Sequence, residues 1–187
     1  MENLKLYIAK DNYVNYLQTF DKNVKNNKKD GQPRPYVGIV LDINSFKYYI
    51  PLCSAKHPKH DDMQDTLDFI RIDVNGKLVG ILNLSSMIPI PDSEIELMNI
   101  DFRGSAYRCL IEEEIKVIRK KKDIIFRNAS QLYKKITRFR NEPQNKSLAK
   151  RCCNYLLLEE KMKDYILLKQ IGEIKEEVAI AKDIHIK

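Results

Sequence analysis

The chain has 187 residues, 43% hydrophobic and 32% charged, with a formal charge of +7. That is enough apolar content for one packed core without disulfide staples, and it excludes wholesale disorder. No run of about 18 apolar residues exists to span a bilayer, and the opening MENLKLYIAKDNY lacks the basic flank and apolar stretch of a secretory signal.

Leu4–Ala9 reads as a short strand. Asp11 follows as a helix N-cap before the stripe Tyr13, Tyr16, Leu17 and Phe20. Asp21–Arg34, rich in Lys, Asn, Asp and Gly, reads as a loop ending at Pro33 and Pro35. Tyr36–Ile43 and Phe46–Leu52 are β-rich runs joined at Asn44–Ser45, and Leu67–Val74 and Lys77–Leu84 flank Asn75–Gly76, a strong hairpin signal. Met87–Ile90 and Glu94–Met98 are shorter strand candidates.

The second half has helical periodicity. Tyr107, Leu110, Ile111, Ile115 and Ile118 share one face, and Ile124, Ile125, Ala129, Leu132, Tyr133, Ile136 and Phe139 continue to a break at Asn141–Pro143. Ser147 then caps a last helix running through Cys152, Tyr155, Met162 and Leu168, with a tail after Gly172 that reads as a frayed helix or an extended arm. The expected fold is α+β in a single domain over 1–187: a twisted antiparallel sheet, folded as a half-open barrel, from 1–102, packed by helices from 103–187.

Charge divides along the same line. Residues 1–102 carry 12 basic and 14 acidic side chains, whereas 103–187 carry 21 basic and 12 acidic. Lys116–Arg151 alone holds 13 basic residues against Asp123 and Glu142. A local field of that density points to a polyphosphate such as nucleic acid. Membrane-surface binding is disfavoured, because the stretch lacks the Trp/Phe-rich opposite face of an interfacial helix.

Chemistry-bearing residues concentrate in Cys53-Ser54-Ala55-Lys56-His57-Pro58-Lys59-His60-Asp61-Asp62, just past a strand end. Three readings stay open from the residues alone. His57, His60, Asp61 and Asp62 have donor chemistry for zinc or manganese, but at a spacing that matches no strong metal signature. Ser54, Lys56 and the two histidines suit metal-free RNA cleavage, in which the ribose 2′-hydroxyl is the nucleophile and the protein supplies proton transfer and charge stabilisation. A solvated polar loop is the third. Tyr13, Tyr16, Tyr36, Tyr48 and Tyr49 are candidates for base stacking or for the core. Cys53, Cys109, Cys152 and Cys153 form no CxxC pair and read as reduced cysteines of a cytoplasmic protein.

Five segments in order carry a resemblance: Tyr7…Asp11-Asn12-Tyr13-Val14-Asn15-Tyr16-Leu17…Phe20-Asp21-Lys22; Arg34-Pro35-Tyr36-Val37-Gly38-Ile39-Val40-Leu41; Tyr49-Ile50-Pro51-Leu52-Cys53-Ser54-Ala55-Lys56; Met87-Ile88-Pro89-Ile90-Pro91; and Leu157-Leu158-Glu159-Glu160-Lys161. Together, from about Leu4 to Tyr165, the chain resembles the ToxN/AbiQ/CptN endoribonucleases, toxins of type III toxin–antitoxin systems, several of which act in abortive phage infection. The resemblance implies a sheet related to the barrel of the Kid and MazF toxins. It implies cofactor-free, metal-independent cleavage of A-rich single-stranded RNA, cellular or phage, leaving 2′,3′-cyclic phosphate and 5′-hydroxyl ends.

The implied partner is a small repeat antitoxin RNA, folded as pseudoknots and held with the toxin in a closed inhibitory assembly. Ser54 and Lys56 match the family's essential Ser-x-Lys, while Tyr13 and Arg34 fall where relatives place an active-site tyrosine and a basic residue. Cys53 and Ala55 depart from the family pattern of a hydroxyl residue and a proline. The expected RNA-binding set is Arg34, Cys53, His57 and Lys59 around the loop, with Lys116, Arg119, Lys120, Lys121 and Lys122 on the helices. A non-catalytic RNA-binding regulator, which needs the basic face but neither Ser54 nor Lys56, is the alternative.

Overall fold

A computed structural model describes residues 4–29, 32–55, 64–100 and 104–184. Strand β1 (Lys5–Ala9) leads into helix α1 (Asp11–Gln18), which buries Tyr13, Val14 and Leu17. Asp11 opens the helix but caps nothing. Its carboxylate instead accepts from Asn27 Nδ2 at 2.7 Å and pairs with Lys28, and these hydrogen bonds hold its pKa below the usual carboxylate range. The expected loop contains a two-strand ribbon, β2 (Lys28–Lys29) with β3 (Gln32–Pro33).

The hairpins form where turn chemistry places them. Strands β4 (Pro35–Ile43) and β5 (Phe46–Ser54) join at Asn44 and Ser45, with φ of 51° and 66°, the double positive φ that lets a two-residue turn follow the strand twist. Strands β6 (Phe69–Val74) and β7 (Lys77–Asn83) join at Asn75 (φ 51°) and Gly76 (φ 75°). Two short strands complete the sheet: β8 (Ile88–Pro89) pairs with β5, and β9 (Ile95–Leu97) pairs with β1. The order is β6-β7-β5-β4-β1-β9, antiparallel throughout, so the sheet is open as expected. Gly38 has a steric role within it. A Cβ there would lie 2.1 Å from Tyr49 Cδ1, so only glycine lets β4 cross that ring.

Helices α2 (Ser105–Lys120) and α3 (Lys122–Arg138) lie where the periodicity put them. The last helix differs from expectation. Ser147 lies inside a short helix, α4 (Lys146–Arg151), and the long helix α5 (Tyr155–Ile184) starts after a break. Tertiary partners make that break: Cys153 N–H donates to Ser85 O at 2.8 Å, Asn154 N–H donates to buried Asp21 Oδ2 at 2.6 Å, and Asn23 Nδ2 donates to Cys152 O at 2.9 Å.

The sheet and helices meet over a tyrosine cluster. Tyr48 makes edge contacts to Tyr133 and Tyr155, and the hydroxyls of Tyr48 and Tyr133 both donate to Glu159 Oε1, at 2.7 and 2.8 Å. A buried carboxylate is tolerated when its oxygens are bonded in this way. Glu159 of the Leu157–Lys161 segment thus ties α5 to β5 and α3. Tyr13, Tyr36, Tyr48 and Tyr49 are all buried, so four of the five base-stacking candidates belong to the core, and Tyr16 is half-buried.

Candidate active site

The candidate site lies at the C-terminal end of β5. Register pairs Leu52 with Leu82, Cys53 with Ile81 and Ser54 with Gly80, and Ala55 N–H still donates to Val79 O at 3.2 Å, so the strand stays anchored through its last residue. Ser54 is exposed at this rim and Cys53 is half-buried. Lys56, His57 and Lys59 lie outside the described residues, as do His60, Asp61 and Asp62 of the metal reading.

Successive strand residues face opposite sides of a sheet. Cys53 points toward Arg34, whose Nη1 is 3.0 Å from its Sγ and 3.5 Å from Leu52 O. Arg34 Nε also donates to Asn26 O at 2.8 Å, and Arg34 N–H donates to Asn27 O at 2.6 Å. Asn27 is in turn buried, donating to Ala9 O at 2.9 Å. The guanidinium is therefore fixed at three points, pre-placed on one side of the strand end. Ser54 points to the other side, the one covered by α2.

On that side Ser54 shares its face with Leu52, Gly80 and Leu82. Helix α2 lays the stripe Ile111, Glu114 and Ile118 over it, all three buried. Glu114 Oε1 comes within 2.7 Å of where a Cβ on Gly80 would stand, so the carboxyl fills the space that glycine leaves beside Ser54's cross-strand partner. Burial pushes the Glu114 carboxyl up to about 7. Sequence reasoning passed over this residue. Its signal was a carboxyl standing in the apolar stripe of α2, a position that an amphipathic helix normally gives to a hydrophobe.

Tyr13 lies in the core. Its ring is fully buried, 5.0 Å from that of Tyr165, and its hydroxyl donates to Pro89 O at 2.7 Å. It pins α1 to β8, with its side chain enclosed on every side. Burial and the nearby Glu94 carboxylate push its phenol well above the ordinary value.

The basic residues of the helices gather at the α2–α3 corner, and several are already engaged. Lys116 pairs with Glu113 at 2.6 Å, and Arg119 Nε donates to Leu4 O at 3.1 Å. Lys121 pairs with Asp65 at 3.0 Å and donates to Arg71 O at 2.9 Å. Lys120 is exposed and Lys122 half-buried. Exposed pairs such as Lys116–Glu113 are weakly held and screened by salt, so a phosphate can displace them. No group of three His, Cys, Asp or Glu able to hold a metal occurs among the described residues. No helix among them is long and apolar enough to cross a membrane.

Comparison with known proteins covers most of the chain. The family model "Toxin ToxN, type III toxin-antitoxin system" matches residues 5–163. Endoribonuclease ToxN of Pectobacterium atrosepticum is 28% identical over 168 residues, covering 87% of this chain and 94% of that protein. Endoribonuclease ToxN of Bacillus thuringiensis subsp. kurstaki is 29% identical over 169 residues, covering 88% and 85%. Among solved structures, a type III toxin described as selectively inhibited by a non-coding RNA pseudoknot aligns with a TM-score of 0.78 at 28% identity, covering 88% of this chain and 98% of that one. The lactococcal anti-phage endoribonuclease AbiQ aligns at 0.77 with 26% identity, covering 88% and 98%. With its matched segments in order and its sheet and helices superposable on theirs, this chain belongs to the ToxN family of toxins from type III toxin–antitoxin systems.

Proposed function

We propose that this protein is a metal-independent endoribonuclease toxin that cuts A-rich single-stranded RNA, including its own repeat antitoxin precursor, and is held inactive by that RNA folded as a pseudoknot. The observation that carries the reading is Ser54, exposed at the anchored end of β5 within a match running from residue 5 to 163. A hydroxyl there meets a phosphate oxygen, and Lys56, two residues on, supplies positive charge to the phosphorane-like transition state or exchanges a proton with it. The ribose 2′-hydroxyl gives up its proton and its oxygen bonds to phosphorus. The bond from phosphorus to the 5′-oxygen breaks, and that oxygen takes a proton. The products are a 2′,3′-cyclic phosphate and a 5′-hydroxyl, with no water consumed.

Arg34, held beside Cys53, takes an adjacent phosphate, and the α2–α3 corner with Lys116, Arg119, Lys120, Lys121 and Lys122 grips the backbone further along. Adenine choice comes from unstacked bases seated against the protein, since sequence-specific RNA recognition works mostly on splayed single strands. The ToxN and AbiQ relatives are named endoribonucleases, and one solved relative belongs to a bacterial antiviral system regulated by a processed non-coding RNA. The reading extends that activity and that class of partner to this chain as one domain acting in the cytoplasm.

The test is cleavage of A-rich RNA in EDTA by the wild type and by Lys56→Ala. Wild-type protein should leave cyclic-phosphate ends with the chelator present, and Lys56→Ala should still bind RNA but cut at least a thousandfold more slowly. Normal cutting by Lys56→Ala in EDTA would rule the mechanism out. Binding without cutting by the wild type would favour the RNA-binding regulator, and loss of cutting in EDTA would favour a metal site around His57 and His60.

A further inference from the structure

The end of β5 has one feature that the cleavage chemistry above does not use. Glu114 is 4% exposed, and it stands on α2 between Ile111 and Ile118. Its carboxyl lies against Gly80, the residue paired with Ser54. Cross-strand partners hold their Cβ positions about 4.5–5.5 Å apart, so an Oε1 located 2.7 Å from the Gly80 Cβ position is within about 8 Å of the Ser54 Cβ. A phosphate brought to Ser54 therefore arrives next to this group. A carboxylate there repels it, whereas a neutral carboxylic acid does not.

We infer that Glu114 is a positioning residue for RNA at the Ser54 strand end: protonated, it sets no charge against an anionic phosphate held at Ser54, and on ionising it drives that phosphate away. This rests on the reading of Ser54 as a phosphate contact.

The surroundings favour the neutral form. The residues of β5, β6 and β7 that share its face are Leu52, Ile70, Ile72 and Leu82, all buried and apolar. Most charged groups of the packed elements are engaged elsewhere, and Lys120 of α2 is exposed. Arg71 and Asp73 of β6 pair at 2.8 Å, Lys116 of α2 pairs with Glu113, and Lys121 between α2 and α3 pairs with Asp65. Lys77 of β7 is exposed at the hairpin tip, and the cause of the raised Glu114 titration is desolvation. With its proton exchange placed near neutrality, RNA binding becomes sensitive to pH across the range in which a cell operates. A bound phosphate in turn favours the protonated acid, because the two equilibria are linked.

At about 7 Å and an effective dielectric near 20, like charges repel strongly enough to weaken binding by roughly tenfold or more. The experiment measures the affinity of a fluorescent, uncleavable 2′-O-methyl A-rich RNA from pH 5.5 to 8.5 at fixed ionic strength. Wild-type affinity should fall about tenfold across neutrality, and Glu114→Gln, which mimics the protonated acid, should keep its low-pH affinity at pH 8. The fall should persist in the double variant His57→Gln/His60→Gln, whatever its absolute affinity.

A fall that is unchanged in Glu114→Gln, or abolished by the histidine substitutions, overturns the inference. Should Glu114→Gln fail to fold, carbon-13 carboxyl NMR of the wild-type protein without RNA reads the group directly. A carboxyl that titrates near 7 supports the inference, and one that is fully ionised by pH 5.5 overturns it. Failure of the wild type to bind RNA at any pH overturns the ribonuclease reading and the inference together. A flat pH profile with good binding overturns the inference alone.

Discussion

Glu114 also makes a prediction about the protein without RNA. Burial pushes its carboxyl from the ordinary 4.5 up to about 7 in the folded chain, so between those values the folded state holds a proton that the unfolded state has lost. Stability then falls as pH rises through that window and levels off above it. The full loss is about 3 kcal/mol, and Glu114→Gln should remove it. Urea unfolding of the two proteins at pH 4.5, 6 and 8 checks this: the wild type should lose ground to the variant with each step, and parallel curves would mean that the carboxyl is not desolvated. Gly80 belongs to the same arrangement. Gly80→Ala places a methyl group 2.7 Å from Glu114 Oε1, which must shift to admit it, so the substitution should destabilise the wild type and cost less when Glu114 is also Ala. Residue-scale chemistry was only partly legible. A motif marks Ser54, but it marks Tyr13 and Glu159 equally, and burial alone separates the exposed Ser54 hydroxyl from a tyrosine bonded to Pro89 O and a carboxylate bonded by Tyr48 and Tyr133.

Elements were more legible where the signal is local. Asn75–Gly76 and Asn44–Ser45 were both readable as two-residue turns because the residues themselves set the backbone. Those turns differ in one respect that can be tested. Ser45 adopts a φ of 66° with a Cβ, whereas Gly76 reaches 75° without one. Ser45→Gly relieves that left-handed strain and should stabilise the protein by about 0.5–1 kcal/mol, raising Tm by about 1–4 °C. A drop in Tm would mean that the Ser45 side chain contributes more than its backbone costs. The break between α4 and α5 was not legible. Nothing in Arg151–Tyr155 stops a helix. The stop comes from Ser85 O, Asp21 and Asn23, which lie far away in sequence and take the backbone groups that would otherwise bond along the helix. Asp21→Ala removes one of these partners and leaves Asn154 N–H without its acceptor. Its expected cost of about 1–3 kcal/mol should appear as faster amide exchange at Asn154 ahead of any global loss of protection.

For the whole molecule, the net charge of +7 becomes informative once it is placed. The sheet half is slightly acidic and carries Ser54, while the helical half carries the excess and turns a corner at Lys120–Lys122. Glu113, Asp65 and the Arg71 carbonyl partly quench Lys116 and Lys121 there. Lys120 and Lys122 have no ion-pair partner among the described residues, and so are the lysines most available to phosphate. If both contact a single-stranded backbone, each contributes about 0.7 to the slope of log affinity against log salt. Lys120→Gln/Lys122→Gln should then weaken RNA binding at low salt and flatten that slope by about 1.4, with the two proteins converging as salt rises. The pH response assigned to Glu114 should survive in this variant, because the corner and the strand end meet different phosphates. An unchanged slope would mean that the RNA follows another face of the helical half. A lost pH response would mean that corner and strand end grip the same phosphate, so the two measurements together trace the RNA path across the molecule.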